Sequence, residues 1–114
     1  MKVQRGDIFY ADLTPAVGAE QGGTRPILII QNTNEKAEGM DTIVIMPITS
    51  NKCTAESAEN MAVDIPEMAG LTNYYILVNQ LRAISPRRLR EHIGHASPEL
   101  LSRVEEKLKG VLGL

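Results

Sequence analysis

The 114-residue chain has no tryptophan, one phenylalanine and three tyrosines. Proteins that hold single strands by stacking bases on side chains need a platform of aromatic rings. With so few rings, stacking is not expected to dominate any nucleic-acid affinity. There is one cysteine, Cys53. It cannot form an internal disulfide, and it fits a reducing compartment as a packed or inert thiol better than as a nucleophile. Excess positive charge is also lacking: 12 lysines and arginines stand against 14 acidic residues, a net charge of −2, which argues against a generic nucleic-acid coat protein. The longest apolar runs, such as 43–48, are far too short to span a bilayer. The stretch Met1–Asp7 lacks the apolar core of a signal peptide. A soluble, cytoplasmic protein is expected.

At this length the chain reads as one domain, 1–114. It is large enough to bury about two-thirds of its unfolded surface without disulfides or a structural metal. Strand signals dominate the first three-quarters. Short apolar runs at 8–11 and 27–30 are bounded by turn residues. A third run covers 42–49, where Pro47 demands a bulge, a bend or an edge. Residues 61–65 alternate as a half-buried strand does. Residues 74–84 form the longest strand-like run, and its later part puts Val78, Gln80 and Arg82 on one face. Ser85-Pro86-Arg87-Arg88-Leu89-Arg90 reads as a short helical turn. Ser97-Pro98-Glu99 is a strong helix start, followed by an apolar stripe of Leu100, Leu101, Val104, Leu108, Val111 and Leu112. Short strands, one long first loop and a terminal helix suggest a small, strongly bent antiparallel β-barrel with appended helices.

Charge is unevenly spread. Residues 34–80 are acidic, whereas Arg82, Arg87, Arg88 and Arg90 face only Glu91 within 81–95. That basic segment is either a local phosphate-binding patch or a solvated turn.

The most informative stretch is Arg5-Gly6-Asp7-Ile8-Phe9-Tyr10-Ala11-Asp12-Leu13, followed by Gly18-Ala19-Glu20-Gln21-Gly22-Gly23-Thr24-Arg25-Pro26. An arginine stands where a glycine-rich loop meets an apolar strand. Glycines let backbone approach a ligand, and a guanidinium matches phosphate oxygens with paired hydrogen bonds. A long hairpin loop whose arginine only caps the fold is the alternative. This stretch resembles the opening of MazF/PemK-type toxins, the sequence-selective endoribonucleases of toxin–antitoxin systems. Ile48-Thr49-Ser50 and Gln80-Leu81-Arg82 also resemble family positions, while residues 51–70 match no such motif. The resemblance implies a mainly β fold, an SH3-like barrel of the MazF/CcdB type with a C-terminal helix, usually as a homodimer. It also implies single-stranded RNA as substrate and a cognate antitoxin whose acidic, disordered tail fills the RNA groove.

Metal-free RNA cleavage uses the ribose 2′-hydroxyl as nucleophile. That hydroxyl must lose a proton, the leaving 5′-oxygen must gain one, and the phosphorane needs donors for its extra charge. His92 and His95 are the only histidines. Three residues apart in an extended segment, they would face opposite sides, and as a metal site they lack a convincing third ligand. No metal and no cofactor are expected. Arg25 is the main catalytic candidate. It is a poor base at neutral pH but a good transition-state clamp and a conceivable proton donor, and the resemblance implies that the matching arginine serves as both acid and base. Thr49 is the second, a strand-end hydroxyl able to donate to a phosphate oxygen, or an ordinary strand terminator. Ser50 could substitute for part of that role. Glu20 and Gln21, with Gly22 and Thr24, lie in or beside a loop that by resemblance contacts RNA bases and orders on binding. Gln80 and Arg82 would fix Arg25, read substrate, or form a purely structural pair. Asp7 and Asp12 read as anchors of turns or strand ends. A rival from another class is a non-catalytic inhibitor on the same barrel, like CcdB, which poisons DNA gyrase. It would not need both Arg25 and Thr49.

Overall fold

Continuous apolar runs such as Ile27-Leu28-Ile29 need partners on both faces of a sheet, and the fold supplies them. The computed structural model describes residues 3–18, 20–33, 41–57, 62–65 and 72–114. Ala19 of the first motif and Met61 of the expected strand lie outside them. Among the described residues there are seven strands: β1 (Asp7–Asp12), β2 (Thr24–Ile29), β3 (Ile43–Thr49), β4 (Ala62–Ile65), β5 (Tyr74–Leu77), β6 (Arg82–Ile84) and β7 (Leu89–His95). They form one sheet in the order β4-β5-β3-β2-β1-β7, with β6 also paired to β3. Every pairing is antiparallel.

One face gathers Phe9, Ala11, Leu13, Ile27, Ile29, Ile43, Ile45, Ile84 and Leu89 into a buried cluster. Their strands wrap around it, which gives the sheet its barrel-like form. The alternating neighbours Ile8, Leu28, Met46 and Ile48 point the other way, into a second cluster closed by Leu100 and Val104. Those two residues belong to helix α2 (Pro98–Leu112). Its start is as expected: the Ser97 hydroxyl accepts the Leu100 N–H at 3.1 Å, and Pro98 opens the first turn. Gly113 ends the helix in the left-handed region, φ 71°, where a side chain would be strained. Of the expected stripe, Leu101, Leu108 and Val111 also pack on this cluster, but Leu112 stays half exposed.

Two local readings change, and one element is new. The run 74–84 is not one strand. A 3-10 turn, Val78–Gln80, interrupts it between β5 and β6, so Gln80 and Arg82 do not share a strand face. The reason lies in β3. It pairs Ile43–Ile45 with β6 and Ile48–Thr49 with β5, and Pro47 falls in the gap between those ladders. Asn79 and Gln80, weak strand formers, fill the turn opposite that gap. Second, the helical turn at 85–90 shrinks to a 3-10 turn, Pro86–Arg88, and the chain continues as the seven-residue strand β7. The new element is the short helix α1 (Lys52–Ser57), which follows β3 in a stretch that matched no motif. Asn51 caps it, accepting the Thr54 N–H at 3.1 Å, and Cys53 is exposed on it. No helix among the described residues is long and apolar enough to cross a membrane.

Candidate active site

The β1–β2 ladder ends with Ala11 opposite Arg25 and Asp12 opposite Thr24. Beyond it the Leu13 N–H bonds the Gly23 carbonyl at 3.0 Å and closes the neck of the loop. Gly23 adopts φ 74° there, a turn that favours glycine. Gly22 is needed for space, since a Cβ on it would lie 2.7 Å from the Ala16 Cβ. The folded-back loop therefore delivers Gln21 and the Gly22 carbonyl to the Arg25 side chain. Arg25 Nε donates to the Gly22 oxygen at 2.8 Å, and Nη1 donates to the Gln21 side-chain oxygen. The Gln21 N–H is in turn held by the Gln80 side-chain oxygen at 3.1 Å. Burial lowers the Arg25 pKa below its ordinary value, because a low-dielectric setting disfavours the cation.

Thr49 ends β3 and is buried. The β2–β3 ladder pairs Ile27 with Pro47, so Arg25 and Thr49 each lie two residues beyond that pair, at the same end of the ladder. Alternation along the strands places both on the face of Ile27, Ile29 and Ile45. The Thr49 hydroxyl accepts the Asn51 N–H at 3.1 Å, which leaves its own proton for another acceptor. Arg82 pairs opposite Ile45 on β6 and so shares this face. Its Nη1 is buried without a hydrogen-bond partner among the described residues, an arrangement that is costly unless something else satisfies it.

The remaining expected residues are less convergent. Ser50 and Thr24 are exposed at the site's margin. Glu20 is exposed too, and its carboxylate accepts the Val17 N–H at 2.7 Å within its own loop. Asp12 anchors a turn, accepting the Thr14 N–H at 3.0 Å and the Thr14 hydroxyl.

A second cluster was missed in the sequence. His92 Nε2 and His95 Nδ1 both reach Asp7 Oδ1, at 3.2 and 2.9 Å. In a regular strand they would diverge. A bulge in β7 sets Gly94 opposite Ile8 but His92 opposite Phe9, and the extra residue turns both imidazoles to the side of Asp7. His92 also meets the Phe9 ring edge-on, with centroids 5.0 Å apart. Burial pushes the Asp7 carboxyl up, but hydrogen bonds from His95, the Gln4 N–H and His92, and then the His92 charge, outweigh it and hold the pKa below the ordinary carboxylate value. The sequence carries no local sign of the bulge beyond Gly94. The cluster sits toward the opposite end of β1 from Arg25, which pairs with Ala11, roughly 13 Å along the strand at strand rise.

The result is a bent, barrel-like antiparallel sheet with a terminal helix, in which an arginine held by its own glycine loop lies at the same sheet end as a strand-end threonine. The chain belongs to the family of PemK-like, MazF-like toxins of type II toxin–antitoxin systems, whose family model matches residues 4–112. It is 36% identical over 114 residues to endoribonuclease EndoA of Bacillus subtilis (strain 168), an alignment covering 100% of this chain and 97% of that protein. Among solved structures, MazF from Deinococcus radiodurans matches with a TM-score of 0.84 at 25% identity, covering 100% of this chain and 99% of that one. A MazE–MazF structure from the same organism matches at 0.78 and 26% identity, covering 100% and 98%.

Proposed function

We propose that the chain is a single toxin domain and a sequence-selective, metal-independent endoribonuclease acting on single-stranded RNA. The observation that carries this reading is the Arg25 guanidinium, tethered to Gln21 and Gly22 at the same sheet end as the Thr49 hydroxyl. The 36% identical relative is itself an endoribonuclease by name. In the proposed reaction the ribose 2′-hydroxyl attacks the adjacent phosphorus and gives up its proton to solvent water, the P–O5′ bond breaks, and the leaving oxygen takes a proton from Arg25, which water then reprotonates. The products are a 2′,3′-cyclic phosphate (or 3′-phosphate) and a 5′-hydroxyl. Arg25 clamps the charge of the phosphorane, and its burial-lowered pKa makes it a better proton donor to the leaving oxygen. Thr49 donates to a non-bridging oxygen. Gln80, through Gln21, holds Arg25 in place. Arg82, on the same face, supplies a second positive charge. Glu20, Gln21, Gly22, Thr24 and Ser50 line the path of the RNA. Glu20 acts by hydrogen bonding to base edges, since its charge repels phosphates.

The family relationship extends the proposal to assembly and regulation: a cytoplasmic homodimer, neutralised by a cognate antitoxin that competes for the RNA groove. Incubating purified protein with a long single-stranded RNA, with and without EDTA, tests the reaction. Discrete fragments with 5′-hydroxyl ends, unchanged by EDTA, are expected. Intact RNA, or activity lost in EDTA and restored by one divalent ion, would overturn the mechanism.

A further inference from the structure

Two arginines of 87–90, Arg88 and Arg90, are directed at the molecule itself. Arg88 Nη1 donates to the main-chain carbonyl of Asp12 at 3.1 Å and to that of Thr14. Asp12 is the last residue of β1, and Thr14 is the second residue of the loop that delivers Gln21 and Gly22 to Arg25. The guanidinium therefore spans the joint where the loop leaves the sheet. Both ends of this brace are fixed. On one side Ser85 caps the 3-10 turn: its hydroxyl accepts the Arg87 N–H at 3.2 Å, and its carbonyl accepts the Arg88 N–H at 3.0 Å. The next residue, Leu89, is buried opposite Ala11. On the other side the Asp12 carboxylate holds the Thr14 backbone and hydroxyl. Arg90 differs. It donates to the carbonyls of Arg87 at 2.9 Å and Leu89 at 3.3 Å, within its own segment, and stands 4.0 Å from the Asp12 carboxylate.

We infer that Arg88 is a positioning residue for the proposed cleavage reaction, bracing the outgoing limb of the 13–23 loop so that the returning limb presents Gln21 and Gly22 to Arg25. The inference rests on the endoribonuclease reading for its consequence in catalysis, though not for the brace itself. Among the described residues the other polar ties of the exposed limb 14–18 are local: the Asp12–Thr14 bonds, the neck bond from Leu13 to Gly23 and the Val17–Glu20 turn. Without Arg88 the loop spends less time in the geometry that arms Arg25. Apparent affinity falls by the fraction of molecules still competent, while turnover of bound substrate is largely kept. A surface arginine that merely attracted RNA phosphates would act differently: its loss would flatten the salt dependence of binding, and Arg90 would matter as much as Arg88.

The test compares full-length wild type, R88A and R90A by two readouts: amide hydrogen exchange of residues 14–23 in the free protein, and steady-state cleavage of a single-stranded RNA at two salt concentrations. For R88A, loop exchange rises and KM rises, each on the order of tenfold, with kcat within about threefold and the salt slope unchanged. Exchange in β2 and β3 stays at the wild-type level, and R90A stays within about threefold of wild type throughout. Unchanged loop exchange in R88A overturns the inference. So does an equal loss in R90A with a flatter salt slope, which would assign both arginines to RNA phosphates. Should R88A fail to fold, R88Q carries the same comparison, with raised loop exchange expected and wild-type exchange contradicting. If wild-type protein does not cleave RNA, the enzymatic reading fails while the exchange data still decide the brace.

Discussion

The side-chain oxygen of Gln80 accepts the main-chain N–H of Gln21 at 3.1 Å, across a sequence separation of 59 residues. This bond ties the 3-10 turn between β5 and β6 to the loop that holds Arg25. The turn takes Gln80 off a regular strand face, and its side chain is thereby able to reach the loop. Replacing Gln80 with alanine removes its hydrogen bond to the Gln21 N–H, worth about 1 kcal/mol, so kcat/KM should fall roughly five- to tenfold. Steady-state RNA cleavage checks this, with a thermal melt to show that the fold is kept. Wild-type kcat/KM in Q80A would separate Gln80 from the site.

Thr49 has two tasks that its variants separate. Its hydroxyl accepts the Asn51 N–H, at the capped start of α1, and by proposal donates to a phosphate oxygen. Thr49→Val should lose about 1 kcal/mol of stability by leaving that N–H unpaired. It should also lose on the order of a hundredfold in kcat by removing a transition-state donor. Thr49→Ser should keep both within about threefold of wild type by retaining the hydroxyl. Destabilisation of T49V without loss of kcat would make Thr49 a structural residue only.

Asp7 sets a pH dependence of stability. Its folded pKa is depressed, since the hydrogen bonds it accepts outweigh the effect of burial. A depressed carboxylate stabilises the fold above its unfolded pKa, about 3.9, and that contribution is lost as pH falls through the lower folded value. The urea midpoint of the wild type should therefore drop more steeply below about pH 4 than that of Asp7→Asn. At pH 7, D7N should be about 1–3 kcal/mol less stable, because two imidazoles and the Gln4 N–H lose a charged acceptor. Parallel pH profiles for the two proteins would contradict this.

Much of this molecule is written locally, and the rest is not. The helix 98–112 could be read from Ser97, Pro98 and an apolar stripe, because a cap and a period of 3.6 are local properties. The first three strands were equally legible as apolar runs between turn residues. The loop glycines and Arg25 stood out together because the motif is contiguous. What escaped depends on distant partners. Gln80 left its expected strand because β3 changes partner at Pro47, a decision taken thirty residues earlier. The His92–Asp7–His95 cluster needs a bulge that appears only when β7 pairs with β1. The arginines of 87–90 read as a charge cluster, yet the main-chain carbonyls that engage Arg88 carry no signature in a sequence.

Assembly is open to direct measurement. Leu112 and Leu114 remain exposed at the end of α2, and one small barrel offers a short path for RNA. Light scattering at micromolar concentration should give about twice 12.5 kDa. A monomer that cleaves RNA at full rate would place the whole site on one chain.

The most direct test is the Arg25→Ala variant under single-turnover conditions with a defined RNA, alongside its circular dichroism spectrum and scattering mass. Loss of one preorganised donor to the transition state predicts a rate lower by roughly a hundred- to thousandfold, with spectrum and mass as in the wild type. Cleavage within about threefold of the wild-type rate would contradict the assignment of the reaction to Arg25.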